Sequence, residues 1–329
     1  MKINNLLLLP LIFTISSFAA DEIKWGISVG YESINYGITL ENTDPGTSSS
    51  DIAAPNTISK GDMSYGAVAI AFDVRAGKHS FSLKSANGDS DDLMPSDDFP
   101  FPGWKNVDTN ERSETSFNYS YKLSNNWSIA TGMYLGENER EFTHSKIFPS
   151  NGSSAYQWDT QELGMQTSES EGTYIAGVYQ DQLADKWFWY GKLGYQTSTF
   201  DIDQTYKYGE QAIASQAWLD AGNTQAELVS NFIGGTGLYE WDIVYAVETE
   251  GSAAVLGLGL VYVITPTDTV TFGYERKNYS YDKGEVVKYT YAGLSTGNTD
   301  QVGTVDDATT GTTFDEEADY LTITYRHQF

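Results

Sequence analysis

Hydrophobic and polar positions alternate along most of this 329-residue chain. In its last ten residues Leu321, Ile323, Tyr325, His327 and Phe329 fall on one face, and Thr322, Thr324, Arg326 and Gln328 on the other. A period of two marks a β-strand with one apolar and one polar face. The same signature recurs from Lys24 to about Tyr36, where Trp25, Ile27, Val29 and Tyr31 oppose Gly26, Ser28, Gly30 and Glu32. It predicts further strands over Ser64 to Arg75, at Phe81 and Leu83, at Thr115 to Leu123, at Trp127 to Leu135, near Thr173 to Gln182, at Trp187 to Tyr195, over Ala253 to Ile264, and at Val270 to Tyr274. Near Thr173 the phase is open: Ile175 and Tyr179, or Tyr174, Ala176 and Val178, form the apolar face.

Between these ten strands, long and short links alternate. The short links are Ala76-Gly77-Lys78, Ser124-Asn125-Asn126, a turn near Ala184-Asp185, and Thr265-Pro266-Thr267-Asp268. The long ones are Glu41 to Gly61, Asn87 to Arg112, Glu137 to Ser170, a segment from about Asp201, and Tyr279 to about Asp315. An even number of strands with short turns at one end and long loops at the other predicts an all-β fold, a transmembrane antiparallel up-and-down barrel. Twelve strands are the alternative, because Leu238 to Val247 also alternates; that stretch reads as an upward extension of the eighth strand. A soluble β-sandwich would leave rows of outward Trp and Tyr in water and would not explain the rhythm of the links.

Met1-Lys2, an apolar run from Leu6 to Ile15, and Ser17-Phe18-Ala19 read as a secretory signal over residues 1–19, with residues 20–329 forming one barrel domain. The apolar run is too short to span a bilayer as a helix. Composition agrees: 23 Tyr, 8 Trp and 15 Phe suit aromatic girdles, and a polar mean hydropathy of -0.39 suits strands that meet lipid at every second residue. The absence of cysteine excludes disulfides and thiolate metal sites. A net charge of -26 argues against nucleic acid as a partner and favours cations or cationic peptides.

Alternation assigns Glu32, Asp73, Arg75, Lys84, Glu114, Lys122, Lys192, Glu275 and Arg326 to the inner face, a nearly balanced set expected to pair across a narrow lumen or to line a polar channel. The remaining acids then crowd the outer loops, as at Asp89 to Asp92, Asp97-Asp98 and Asp315-Glu316-Glu317. Such carboxylates could hold Ca²⁺ loosely, but no segment has a tight calcium spacing, so neither a metal site nor a cofactor is assigned. Arg140, Arg276 and Lys277 stand at the upper strand ends, at the height of lipopolysaccharide phosphates.

The closing strand, through Leu321, Ile323, Tyr325 and the terminal Phe329, resembles the assembly signal of bacterial outer-membrane β-barrels. The resemblance implies recognition by the barrel-assembly machinery and residence among outer-membrane lipid and lipopolysaccharide. Ten strands and five long loops, together with Leu260-Val261-Tyr262-Val263-Ile264-Thr265-Pro266, resemble the omptin proteases. Omptins activate a water with an Asp pair in the second outer loop and an Asp-His pair in the fourth. The resemblance places the first pair at Asp89 and Asp91 and the second at Asp203, with Thr205 where the histidine should stand. His144 is then the sole loop candidate, because His79 and His327 lie near the other end. Threonine supplies no base near neutral pH. The sequence therefore points to a non-enzymatic barrel, porin-like or displaying acidic loops. Its alternatives are an omptin-like surface endopeptidase, and an adhesin or receptor anchored by Trp104, Trp158, Trp218 and Trp241.

Overall fold

The computed structural model describes residues 23–42, 58–90, 105–149, 155–233, 238–282, 285–294, 300–304, 308–309 and 312–329. Ten strands close on themselves: β1 (Ile23–Asn42), β2 (Ile58–Ala76), β3 (His79–Ser90), β4 (Lys105–Lys122), β5 (Trp127–Pro149), β6 (Tyr156–Ala184), β7 (Trp187–Ala214), β8 (Leu238–Val263), β9 (Asp268–Tyr281) and β13 (Thr312–Gln328). Each pairs antiparallel with the next, and β13 closes the seam against β1, with Tyr31 opposite Ile323. Short strands β10 (Glu285–Leu294), β11 (Asp300–Thr304) and β12 (Ala308–Thr309) stand outside the closed wall. β10 pairs with Glu240 to Glu248 of β8, above the point where β9 ends at Tyr281. The stretch from Leu238 thus extends the eighth strand upward, and the barrel has ten strands rather than twelve.

The registers fix the barrel's tilt. A circuit of directly opposed residues leaves β7 at Tyr190 and passes through Gly259, Gly273, Thr322, Glu32, Ala67, Gly88, Arg112, Asn138 and Ser168. It returns to β7 at Ile202, twelve residues farther along. With a rise of about 3.3 Å per residue and strands about 4.8 Å apart, this offset tilts them by about 40° and places the wall about 10 Å from the axis. Such a lumen is narrow enough for side chains to fill.

Outward positions form an apolar belt about 25 Å tall. Val68, Ile70, Ile175, Leu193, Leu256, Leu258, Leu321 and Ile323 are all exposed on it. Strand six is settled by this face: Ile175 points out, while Ala176 is buried inside. Aromatic rings edge the lower rim, with Trp25 against Phe72, Phe81 against Tyr119, Trp127 and Trp189 against Tyr179, and Trp187 against Tyr262. No helix among the described residues is long and apolar enough to cross a membrane; the crossing is made by strands.

The expected third and fourth long loops are largely strand. β6 and β7 stay paired from Ala184 and Trp187 up to Tyr156 and Ala214, so one side of the barrel rises far above the belt. Neither face meets lipid there, so the apolar alternation disappears while the backbone ladder continues. At the top lie α1 (Gln216–Asp220), α2 (Gln225–Leu228) and a π-helical turn. Leu228, Ala212 and Ala155 form a small core there, with Trp158 and Trp218 packed against it. Those two tryptophans therefore serve the cap's own packing. Trp104 lies outside the described residues, as do the leader, Asp91, Asp92, Asp97 and Asp98.

Glycines make the lumen's packing possible. The Tyr190 side chain lies against Gly259, where a Cβ would collide with it, and its hydroxyl reaches over Gly273. The Tyr174 and Tyr134 rings cover Gly132 and Gly172 in the same way. Gly259→Val should therefore destabilise the barrel by about 1–3 kcal/mol through overpacking. A double change with Tyr190→Ala should restore part of that loss, read as the temperature at which the folded gel band converts to the unfolded one.

Candidate functional site

Contacts between strands that are not neighbours must pass through the lumen. Lys192 on β7 donates to Glu275 on β9 at 2.7 Å, across β8. Lys84 on β3 pairs with Glu32 on β1, across β2. Arg326 on β13 meets Asp73 on β2 at 3.2 Å, and Ser28 donates to the same carboxylate oxygen at 3.0 Å. Six of the nine inner-face charges expected from alternation thus meet in three pairs. Glu114 accepts from Arg112 at 3.2 Å on its own strand. Arg75 is exposed and Lys122 half-exposed, both near the lower mouth of the barrel.

Above these pairs lies a layer of tyrosines. Tyr134 hydrogen-bonds Ser198 at 2.6 Å, Gln196 donates to Tyr279 at 2.6 Å, and Tyr174 donates to Asn118 at 2.7 Å. Tyr65 donates to Asn138 at 3.2 Å, and the Tyr36 and Tyr320 hydroxyls meet at 3.3 Å. Cations sit over the rings: Lys277 over Tyr320 at 4.7 Å and Tyr134 at 5.7 Å, Lys192 over Tyr174 at 4.8 Å, and Arg112 over Tyr36 at 5.0 Å. Lys277 also stands 3.7 Å from Glu275. Higher still, outside the belt, burial pushes the Glu316 carboxyl above its usual range, while Arg112 and Lys277 pull it back.

Arg112 and Lys277 were not among the expected lumen residues. Arg112 closes the stretch expected as the second long loop, whereas β4 begins at Lys105 and its alternation turns Arg112 inward. Lys277 was grouped with Arg276 as a group facing lipopolysaccharide, but it shares parity with Glu275. Parity along β5 likewise places Arg140 on the face of Tyr134 and Phe142. Of the three basic groups expected at lipopolysaccharide height, Arg276 alone faces outward. It is paired there with Glu317 and stands 4.0 Å from Asp319. The inner tyrosines are of the residue type expected for the girdles, and strand parity alone separates the two sets.

Among the described residues, Asp89 and Asp203 of the candidate protease set do not come together. Asp89 occupies an exposed outward position on β3, in phase with Leu83. Asp203 occupies an exposed outward position on β7, in phase with Leu193 and Tyr195. Three strands separate them. Asp91 lies outside the described residues, and the His144 backbone pairs with Asn106 and Glu162 high on β5. Thr205 is exposed beside Asp203.

Asp89 belongs instead to a row of carboxylates just above the belt. Asp89 opposes Glu111, and Glu111 opposes Glu139. One step lower, Glu137 opposes Glu169, Glu169 opposes Asp201, and Asp201 opposes Glu248. Like charges directly opposed across strands repel. Asn87, Asp89, Glu111, Glu137 and Glu139 line an open depression of about 440 Å³ on this wall. No group of three or more His, Cys, Asp or Glu side chains among the described residues converges as metal ligands do.

Below the belt a different carboxylate ties the seam. Asp268, the first residue of β9, accepts from His327 at 2.7 Å, Tyr325 at 2.6 Å and Thr267 at 3.0 Å, and also from Thr265. These hydrogen bonds, from His327, then Thr265 and Tyr325, hold its carboxyl well below the usual range.

No family model matches the chain, and no curated protein is similar to it in sequence. Solved structures with similar folds include the outer membrane protease OmpT of Escherichia coli, 12% identical over 93% of this chain and 96% of that one, with a TM-score of 0.47. OprG of Pseudomonas aeruginosa is 8% identical over 94% and 97%, with a TM-score of 0.35. Ail of Yersinia pestis is 9% identical over 94% and 99%, with a TM-score of 0.27. Likenesses this distant carry no functional argument. The chain's own registers define its class: a closed, ten-stranded, outer-membrane-type β-barrel with the omptin-like strand number expected from the sequence.

A carboxyl whose pKa is depressed by folding contributes stability above its unfolded pKa and loses it as pH falls through the folded value. Asp268→Asn should therefore lower the thermal unfolding midpoint at pH 7. That difference should shrink progressively once the pH drops below about 4.

Proposed function

We propose that this chain is a non-enzymatic integral protein of the Gram-negative outer membrane whose lumen is closed to free passage and whose working surface is extracellular. Of the two roles expected from the sequence, porin-like passage and surface display, the filled lumen favours the second. The observation that carries this reading is the set of inner charges paired across the barrel beneath a hydrogen-bonded tyrosine layer. Separating these partly buried pairs would leave their charges without partners in a narrow lumen, so the plug resists opening.

Placement in the membrane is supported by the apolar belt, the aromatic rim below it and the abrupt change to carboxylates above it. Outer-membrane lipid surrounds the belt, and lipopolysaccharide would meet the carboxylate row through counter-cations, Ca²⁺ among them, held loosely. Leu321, Ile323, Tyr325 and Phe329 are exposed on the outer face of the closing strand, where the assembly machinery would read them during insertion. Display is supported further by the wall of β5 to β8 and its helical cap, which rise well beyond what spanning requires.

Planar-bilayer recording of the purified, heat-modifiable protein tests the reading. The unaltered protein should give no stable conductance steps. Tyr36→Ala, Tyr134→Ala and Tyr279→Ala combined should produce discrete, salt-dependent ones. Discrete steps from the unaltered protein would overturn the closed-lumen reading and return Lys84, Lys192 and Glu275 to the role of channel lining.

A further inference from the structure

The cross-lumen pairs leave two inner-face charges over. Alternation turns Arg75 on β2 and Lys122 on β4 inward at the end that carries the short turns. Arg75 is exposed and Lys122 half-exposed, and neither side chain meets an acid among the described residues. Lys24 on β1 stands directly opposite Arg75 on the same inner face. Arg326 on β13, opposite Ser28 of β1, completes an arc of bases from β13 to β4. Asp73 is the one inner-face carboxylate at this end among the described residues, and Arg326 and Ser28 already share it. Asp181, Asp268 and the terminal Phe329 lie in outward phase, and Asp185 sits in the turn between β6 and β7, away from the arc. A chain of net charge -26 therefore opens at this mouth with Lys24, Arg75, Lys122 and Arg326 against Asp73 alone. Like charges directly opposed across strands, as Lys24 and Arg75 are, repel unless an anion lies between them.

The facing half of the mouth is built differently. Phe188 on β7 and Val261 and Val263 on β8 point inward there, half-exposed and in phase with Tyr190 and Gly259. All these side chains are open to solution at the barrel's end, and their inward phase turns them away from the lipid around the belt. At about 4.8 Å per strand the arc spans about 19 Å, too wide for one small anion. An extended peptide repeats its same-side residues about every 7 Å, so carboxylates at alternate positions meet several of the bases at once. Its other face then lies against Phe188 and Val261. A polyphosphate or an acidic glycan satisfies the bases and offers that apolar wall nothing.

We propose that this mouth is a docking surface for an extended acidic segment of a periplasmic protein, with carboxylates on Lys24, Arg75 and Lys122 and alternate apolar side chains on Phe188 and Val261. That the mouth faces the periplasm rests on the membrane placement proposed above; its chemistry does not.

The test is a titration of the purified full chain in detergent, where both ends of the barrel are open to solution, with a fluorescent peptide of alternating Glu and Leu, followed by anisotropy. The peptide should bind, and raising the salt from about 0.05 M to about 0.5 M should weaken binding at least about tenfold. Its counterpart with Gln for every Glu should bind at least about tenfold more weakly. Arg75→Gln with Lys122→Gln should keep the folded gel band and lower the affinity at least about tenfold, and Phe188→Ser should lower it about threefold or more. Should the double variant lose that band, Arg75→Gln alone, at an exposed position, should still weaken the peptide about threefold or more. No binding by the unaltered protein, equal binding of the Gln peptide, or an unchanged affinity in the arginine and lysine variants would overturn the proposal. Inorganic polyphosphate binding as tightly as the peptide, with Phe188→Ser without effect on either, would overturn the assignment to a peptide. Binding in detergent needs neither a membrane nor a closed lumen, so its failure stays distinct from a failure of the bilayer recording.

Discussion

The demand that no backbone N–H or C=O be left unpaired in hydrocarbon governs this molecule. An open sheet would present two unpaired edges to lipid. Here β1 and β13 remove both, pairing from Gly26 with Gln328 up to Asn42 with Thr312. That seam and the nine other registers together give the twelve-residue offset around the circuit, which fixes tilt and radius. A slip of one residue would turn Leu321, Ile323 and Tyr325 into the lumen and Arg326 into lipid.

Phase in turn dictates chemistry. The same alternation that presents Ile and Leu to lipid delivers Glu32, Lys84, Lys192 and Glu275 to a narrow interior, where opposite charges stand within reach of one another. Three cross-lumen pairs and the tyrosine layer are the consequence, and glycines such as Gly259 give the rings their space. Above the belt, the same outward positions carry carboxylates in place of apolar residues. The barrel is therefore neutralised across its middle and acidic outside, and the large negative charge of the chain need not be buried.

Much of this was legible in the sequence, and the failures share a cause. Strands with one face in lipid announce themselves, so all ten were found and the closing strand stood out. Where neither face meets lipid, as in upper β6 and β7, the apolar period vanishes and extended strand reads as loop. Arg112 was missed because β4 begins earlier than its apolar face does. Lys277 stands at the height expected of an outer cation, but its parity with Glu275 turns it inward. The likeness to a protease layout was legible as architecture, but spacing could not reveal that Asp89 and Asp203 face outward on strands far apart. Arg75 and Lys122 were legible as inner-face charges, but their lack of acidic partners among the described residues emerges from packing alone.

The account stands on the seam, and because the chain lacks cysteine, paired cysteines can measure the seam directly. Tyr31→Cys with Ile323→Cys places two thiols directly opposite each other, whereas Tyr31→Cys with Tyr325→Cys offsets them by one pleat. Cross-strand partners lie within disulfide reach and diagonal ones about 7–8 Å apart do not. Oxidation in native membranes, followed by heating and electrophoresis without reductant, should trap the first pair as a covalently closed chain and leave the second open. Cross-linking of the second pair with none in the first would contradict the register, and with it the assignment of every lumenal side chain.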